Sequence, residues 1–149
     1  MSKSSVRSYD VLNRIARVKA AQASMALAEA SRAEQAASSH VDQASSLCVA
    51  ASTARERCIS SDGSLHLGEY WMLTELHDSL QVRREAAVDV LQEAQAEQSA
   101  RGLAAGSAQR FADGVEEELT QRRHEVTREI EGRLLADSLE LWMQHGEEA

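Results

Sequence analysis

Two histidines and a glutamate near the middle of this 149-residue sequence are the side chains most able to bind a metal ion. His66 and Glu69 are three residues apart, and His77 follows on the same predicted helix. A metal site needs a third or fourth ligand in a closed geometry, and the spacing of the other residues supplies none. These residues are better interpreted as surface side chains, so the sequence predicts neither a metal nor a cofactor.

The sequence contains no motif for nucleophilic catalysis or phosphate binding. It has no Gly-rich phosphate loop, no His-Glu zinc motif and no nucleophile elbow. Cys48 and Cys58 have the spacing of neither a zinc knuckle nor a redox pair. We interpret them as small hydrophobic residues in a reducing compartment. The protein is therefore expected not to be an enzyme.

The composition limits the classes of partner. The sequence has 24 acidic residues against 16 Lys and Arg, and its net charge of −8 disfavours nucleic acid as the main partner. No apolar run reaches the ~20 residues of a membrane span. Arg14, Arg17 and Lys19 interrupt the apolar positions where a signal peptide would have its hydrophobic stretch. We expect a cytoplasmic protein without direct membrane insertion.

Long helices are indicated by the absence of proline and by the abundance of Ala, Glu, Gln, Arg and Leu. An aromatic content of 3% would also fit an unfolded chain, but the regular spacing of apolar residues argues against disorder. Residues 60–64, Ser-Ser-Asp-Gly-Ser, are the densest cluster of turn-favouring residues. The sequence therefore predicts a single all-α domain over residues 1–149. This domain is an antiparallel coiled-coil hairpin with helices at about 6–58 and 66–145 and a turn at about 59–65.

A heptad repeat runs through the first predicted helix and gives an alanine column: Tyr9, Ala16, Ala23, Ala30, Ala37, Ala44, Ala51 and Cys58. A repeat of seven held over this length is typical of a coiled-coil seam, and alanine lets two backbones approach closely. A second column, three residues after the first, reads Leu12, Lys19, Ala26, Ala33, His40, Leu47 and Ala54. With the turn centred near Asp62, Ala44 is expected to face Leu80.

The second predicted helix is longer than the first, so its last ~25 residues extend roughly 35 Å beyond the N-terminus of the first helix. This segment carries large apolar residues: Val126, Ile130, Leu134, Leu135, Leu139, Leu141, Trp142 and Met143. A single helix cannot bury them, so the segment is expected to need a partner. The first twenty residues are basic and the stretch after Asp113 is acidic. This asymmetry fits either ion pairs between the two helices or docking onto a charged partner.

An apolar cluster follows the predicted turn and consists of Leu65, Leu67, Tyr70, Trp71, Met72, Leu73 and Leu76. Tyr70 and Trp71 cannot both face the helix contact, because consecutive helical residues point about 100° apart. Trp71 is therefore expected to lie outside the two-helix contact. The cluster is either a hydrophobic plug that closes the hairpin end or an exposed anchor for a partner protein.

Three short patterns occur along the chain. Leu12 to Lys19 opens a long Ala/Glu helix, Gly63-x-Leu65 and Tyr70-Trp71-x-Leu73-x-x-Leu76 surround the start of the second helix, and an Arg-punctuated stretch runs from Gln121-Arg122-Arg123 to Glu131. In these patterns and in its length the chain resembles the FliJ/YscO family. The members of this family are the small coiled-coil stalk proteins of flagellar and virulence type III export machines.

The resemblance implies a non-catalytic central stalk that inserts into the hexameric export ATPase and links it to the membrane export gate and to substrate chaperones. The family's gate-contacting surface lies near the hairpin tip, which maps to Leu47, Tyr70, Trp71, Leu73 and Leu76. The open ends would enter the ATPase ring, which implicates Arg14, Arg17, Arg122, Arg123 and Arg128. Such a stalk would be a monomer when free, in the cytoplasm and peripheral to the inner-membrane export apparatus. The alternative is a generic cytoplasmic coiled-coil adaptor or chaperone that binds a helical partner.

Overall fold

The protein is a hairpin of two long helices that pack against each other, and the computed structural model describes its residues 3–59 and 66–147. Helix α1 spans Lys3–Arg57, and helix α2 spans Leu67–Glu147. The predicted all-α helical hairpin is confirmed. The residues predicted as the centre of the turn, 60–64, lie outside the described residues.

Backbone hydrogen bonds define where each helix stops. At the end of α1 the Cys58 N–H donates to the Arg55 carbonyl at 3.1 Å, which is the tighter spacing common in a final helical turn. At the start of α2 the Tyr70 N–H donates to the His66 carbonyl at 2.9 Å. The His66 N–H donates to the Cys58 carbonyl at 3.3 Å, so the two helix ends are joined by a backbone hydrogen bond.

Residues 25–103 form one compact unit. Its core cluster contains Cys48, Ala51 and Leu80. Ala30 and Ala37 are also buried, which continues the alanine column at intervals of seven residues. Because these residues are small, each of them buries little apolar surface. The buried apolar surface of this unit is therefore distributed over many helical turns. The side chains of Gln98 and Ser31 add a hydrogen bond of 3.4 Å between the two helices.

Residues up to Ser24 and from Ala104 onwards form the other compact unit. Its core cluster contains Ala16, Ala20 and Ala112, with Ala108 packed against them. Val115 and Leu119 are buried on the same side of α2. Alanine facing alanine allows the two backbones to approach closely, so little water remains between them.

The prediction for the second column of α1 is wrong by one position. The half-buried or buried residues lie four positions after the alanine column, at Asn13, Ala20, Leu27, Val41 and Cys48. The column predicted three positions after it is largely exposed, including Leu12, Lys19, Ala33, His40 and Leu47. Positions i+3 and i+4 lie on opposite sides of residue i. The observed column buries or half-buries Leu27, Val41 and Cys48 and leaves the charged Lys19 and the imidazole of His40 in water. It also half-buries Glu34 and leaves Leu12 and Leu47 exposed, so side-chain size does not explain the choice of column.

The predicted register is also displaced along α1. Leu80 packs with Cys48 and Ala51, whereas Ala44 was expected opposite it. A slip of seven residues, or two helical turns, returns the same face of a heptad column to the contact, and this is the step from Ala44 to Ala51. The alanine column has a nearly identical residue at each such step, so side-chain size does not fix which turn of α1 faces Leu80.

Candidate protein-binding surfaces

The residues considered for metal or nucleophilic chemistry do not converge. Within residues 3–59 and 66–147, no three His, Cys, Asp or Glu side chains are grouped so that they could hold a metal ion. His66 is exposed, and His77 is half-buried with its Nδ1 3.9 Å from the Asp78 carboxylate. Cys48 and Cys58 are buried free thiols. In the described part of the chain, neither α1 nor α2 contains a stretch that is long and apolar enough to cross a membrane.

The cavities of the hairpin are open grooves along its helices. One groove, of about 440 Å³, lies where the first turns of α1 meet α2 and is lined by Lys3, Val6, Arg7, Arg123, Val126 and Thr127. A second, of about 400 Å³, is lined by residues around Arg17 and Glu116. Open grooves of this kind do not exclude water from a reacting group, so they are better suited to binding than to catalysis.

The last part of α2, residues 127–147, carries seven exposed large apolar side chains, and we call it the C-terminal extension. Every residue in it is exposed. Its large apolar side chains are between 45% and 76% exposed, namely Ile130, Leu134, Leu135, Leu139, Leu141, Trp142 and Met143. The expectation that the overhang is uncovered by α1 is therefore met for residues 127–147, but it is wrong for Val126, which is half-buried and lines a groove together with Val6 of α1.

The apolar residues of the C-terminal extension lie on more than one side of the helix. Ile130, Leu134 and Leu141 continue the face on which Leu119 is buried against α1, as the 100° step of a helix requires. Leu135 and Trp142 lie on the side away from that face. A helix with such a wide apolar surface is normally covered by other protein.

The residues predicted at the hairpin tip separate into two sets. Tyr70 and Leu73 are half-buried, and the Arg55 guanidinium lies 6.0 Å from the Tyr70 ring centroid. Trp71, Leu76 and Leu47 are exposed, as are their neighbours Met72 and Leu67. The prediction that Trp71 lies outside the two-helix contact is confirmed, since 61% of it is exposed. Tyr70 and Leu73 hold α2 against α1, whereas Trp71 and Leu76 face solvent.

Three of the five predicted open-end arginines bind across the hairpin. Arg17 pairs with Glu116, Arg123 donates to Asp10 at 3.0 Å, and the Arg122 guanidinium lies over the ring of Tyr9. Arg14 pairs with Asp10 on its own helix at 3.1 Å, and Arg128 is exposed. The Arg17–Glu116 pair therefore neutralises part of the opposite charge on the start of α1 and the later part of α2.

One surface was missed by sequence reasoning, and we call it the outer stripe of α1. Val11, Ile15 and Val18 are 55%, 48% and 56% exposed and lie on the side of α1 away from the buried Ala16 and Ala20. Their spacing of four and then three residues is itself a coiled-coil signal. The alanine column has the same period of seven residues. Because the repeat in α1 was assigned to that column alone, this second apolar face was not predicted.

Comparisons of this chain with protein-family models, with curated proteins and with solved structures find no match. The functional assignment therefore depends on the surfaces described above and on the resemblance described for the sequence.

Proposed function

We propose that this chain is a non-catalytic helical adaptor, and specifically the central stalk of a type III protein export ATPase complex. One observation carries the proposal: the C-terminal extension exposes seven large apolar side chains on a helix that no other described element covers. Such a surface is costly in water and is typical of a segment that binds another protein. The exposed Trp71 at the other end of α2 is of the residue type that most often dominates binding energy.

In this role the two ends of the hairpin have different partners. The C-terminal extension and the start of α1 enter the hexameric ATPase, with Arg14 and Arg128 on the accessible surface. The tip, with Leu47, Trp71 and Leu76 exposed, contacts the membrane export gate and export chaperones. Tyr70 and Leu73 position this surface by packing α2 on α1. The chain acts in the cytoplasm at the inner-membrane export apparatus.

ATP hydrolysis by the cognate export ATPase, purified from the same source, tests the proposal. The full chain is expected to raise the hydrolysis rate and to saturate at one copy per hexamer. The variant Leu134→Glu/Leu141→Glu is expected to abolish this stimulation, because it places charge on the apolar face of the extension. The control Leu103→Glu changes a leucine outside the extension that is more exposed than Leu134 and Leu141, and this variant should stimulate as the unmodified chain does. An ATPase that does not respond to the full chain contradicts the stalk.

The alternative is a coiled-coil adaptor or chaperone that binds a helical partner. It is favoured by the heptad spacing of Ile130, Leu134 and Leu141, since this spacing suits any amphipathic helix. The adaptor predicts that Leu134→Glu/Leu141→Glu loses binding to an export chaperone or another helical partner while the ATPase rate is the same with and without the chain. A rate that rises with the chain argues against it.

A further inference from the structure

We propose that the free chain pairs with a second copy of itself, and that the C-terminal extension of each copy lies along the outer stripe of α1 in the other. This twofold dimer replaces the free monomer expected from the sequence. It does not rest on the export function, because every residue that it uses is described in the chain alone.

The two surfaces have matching apolar patterns. Ile130, Leu134 and Leu141 lie on one face of the extension with heptad spacing, all three are exposed, and Asp137 lies on the same face between Leu134 and Leu141. The outer stripe has Val11, Ile15 and Val18 with spacings of four and three residues. Two helix faces with the same period can interdigitate over several turns, which is how coiled-coil seams form.

The charges that flank these faces are opposite. Residues 3–19 contain five basic side chains, Lys3, Arg7, Arg14, Arg17 and Lys19, against the single acid Asp10. The C-terminal extension, residues 127–147, contains five acids, Glu129, Glu131, Asp137, Glu140 and Glu147, against two bases, Arg128 and Arg133. Arg17 already forms an ion pair with Glu116, whereas Arg7 and Lys19 are exposed beside the outer stripe. An acidic amphipathic helix therefore fits the outer face of α1, and the extension is such a helix.

The position of the extension makes the pairing reciprocal. The groove lined by Lys3, Val6 and Val126 marks where α2 passes the first turns of α1. Beyond that point, the face of α2 that packed on its own α1 is free to pack on the α1 of a second copy. A twofold axis relates the two copies, so the same contact forms twice. Each half then needs to bury only about 600–800 Å² to reach the 1,200–1,600 Å² of a specific interface.

Two charge-reversed variants of the full chain test the proposal by sedimentation equilibrium at low salt. One is Arg7→Glu/Arg14→Glu/Lys19→Glu, and the other is Glu131→Lys/Asp137→Lys/Glu140→Lys. The unmodified chain is expected to dimerise, and each variant alone should dissociate at least about tenfold more readily, because like charges then face each other in both halves. An equimolar mixture should recover the unmodified affinity, since a heterodimer of the two variants has opposite charges in both halves.

Controls separate this pairing from other self-association. Circular dichroism should give the same helicity for both variants, which establishes that the hairpin is intact. Leu134→Ala/Leu141→Ala should weaken the dimer, whereas Leu103→Ala, also on an exposed leucine, should not. A chain that stays monomeric at low salt overturns the proposal, and so does a dimer that is unchanged by both charge reversals. A mixture that remains as dissociated as its components also overturns it. Extension-to-extension pairing is recognised by the α1 variant alone: Arg7→Glu/Arg14→Glu/Lys19→Glu leaves both extensions unchanged, so a dimer that this variant does not weaken also overturns the proposal.

Discussion

The guanidinium carbon of Arg122 in α2 lies 4.2 Å from the ring centroid of Tyr9 in α1. The same guanidinium pairs with Glu118 at 2.9 Å, and the Arg122 side chain is only 20% exposed. A cation held over an aromatic face and paired with a carboxylate one turn away is partly removed from water, which strengthens the attraction. This contact lies about one turn before Val126, near the end of the stretch in which α2 is covered by α1.

Arg122→Lys is expected to lower the free energy of unfolding by about 0.5–1 kcal/mol, because the compact ammonium cannot stack on the ring and pair with Glu118 in the same geometry. Urea unfolding followed by circular dichroism measures the change. The control Arg128→Lys, on an exposed arginine nearly two turns further along, should leave the stability unchanged. Equal effects of the two substitutions would contradict a specific role for the stacked pair.

Asp10→Asn is expected to lower the stability by about 0.2–1 kcal/mol at low ionic strength, because its carboxylate accepts a hydrogen bond from Arg123 and pairs with Arg14. These groups are accessible to solvent, so the effect should largely disappear at about 1 M salt, where the screening length is about 3 Å. Thermal unfolding at the two ionic strengths measures it. A loss of stability that does not depend on salt would mean that the carboxylate acts through packing.

Ala16→Leu is expected to destabilise the hairpin by about 1–3 kcal/mol, since Ala16 is 1% exposed and the larger side chain has no space between the two backbones. Ala21→Leu, at an exposed position of the same helix, is the matched control and should change the stability little. Denaturant midpoints of the two variants give the comparison. If Ala16→Leu stabilises the chain, the close approach at the alanine column is not required.

Trp71→Ala is expected to change the free energy of unfolding by less than about 0.5 kcal/mol, because the indole contributes little to the two-helix contact. Leu80→Ala should cost about 2–5 kcal/mol, since this leucine is buried with Cys48 and Ala51. Urea unfolding of both variants provides the measurement. A large stability loss for Trp71→Ala would support the hydrophobic plug over the exposed anchor.

The helices could be predicted from sequence because their signals are redundant. A chain without proline, with one cluster of turn residues at 60–64, has few alternatives to two long helices. The alanine column was also found correctly, since Ala16, Ala30, Ala37 and Ala51 are all buried. A period of seven repeated this often is a strong signal even when each residue is small.

The side of the column and the register could not be predicted for a physical reason. The alanine column presents almost the same small surface at every step along α1. It therefore does not determine which neighbouring column of α1 is buried, or which turn of α2 packs against a given alanine. Only the larger side chains carry that information. Leu27 and Val41 indicated the correct companion column, but the predicted column contains Leu12 and Leu47, both of which are exposed.

The candidate surfaces were predicted unevenly. The C-terminal extension and Trp71 were found because large apolar residues occur where no partner helix could cover them. The outer stripe of α1 was missed because a two-helix hairpin was assumed to use one face of each helix. Arg17 and Arg123 were predicted to contact the ATPase ring, which stays a prediction, and in the structure they also pair with Glu116 and Asp10 across the hairpin. Such ion pairs between the two helices were the other interpretation of the charge asymmetry in the sequence.

The C-terminal extension also determines how the chain responds to a protease. In a monomer, where no second copy covers it, the extension has no tertiary contacts to hold it, and helix–coil exchange of about 20 residues occurs within about a microsecond. Trypsin should therefore cut first after Arg128 and Arg133, while the arginines of α1 that lie against α2 are cleaved later. Any protein that covers the extension has to hold these turns in helical form, so the delay in cleavage measures how completely the segment is enclosed.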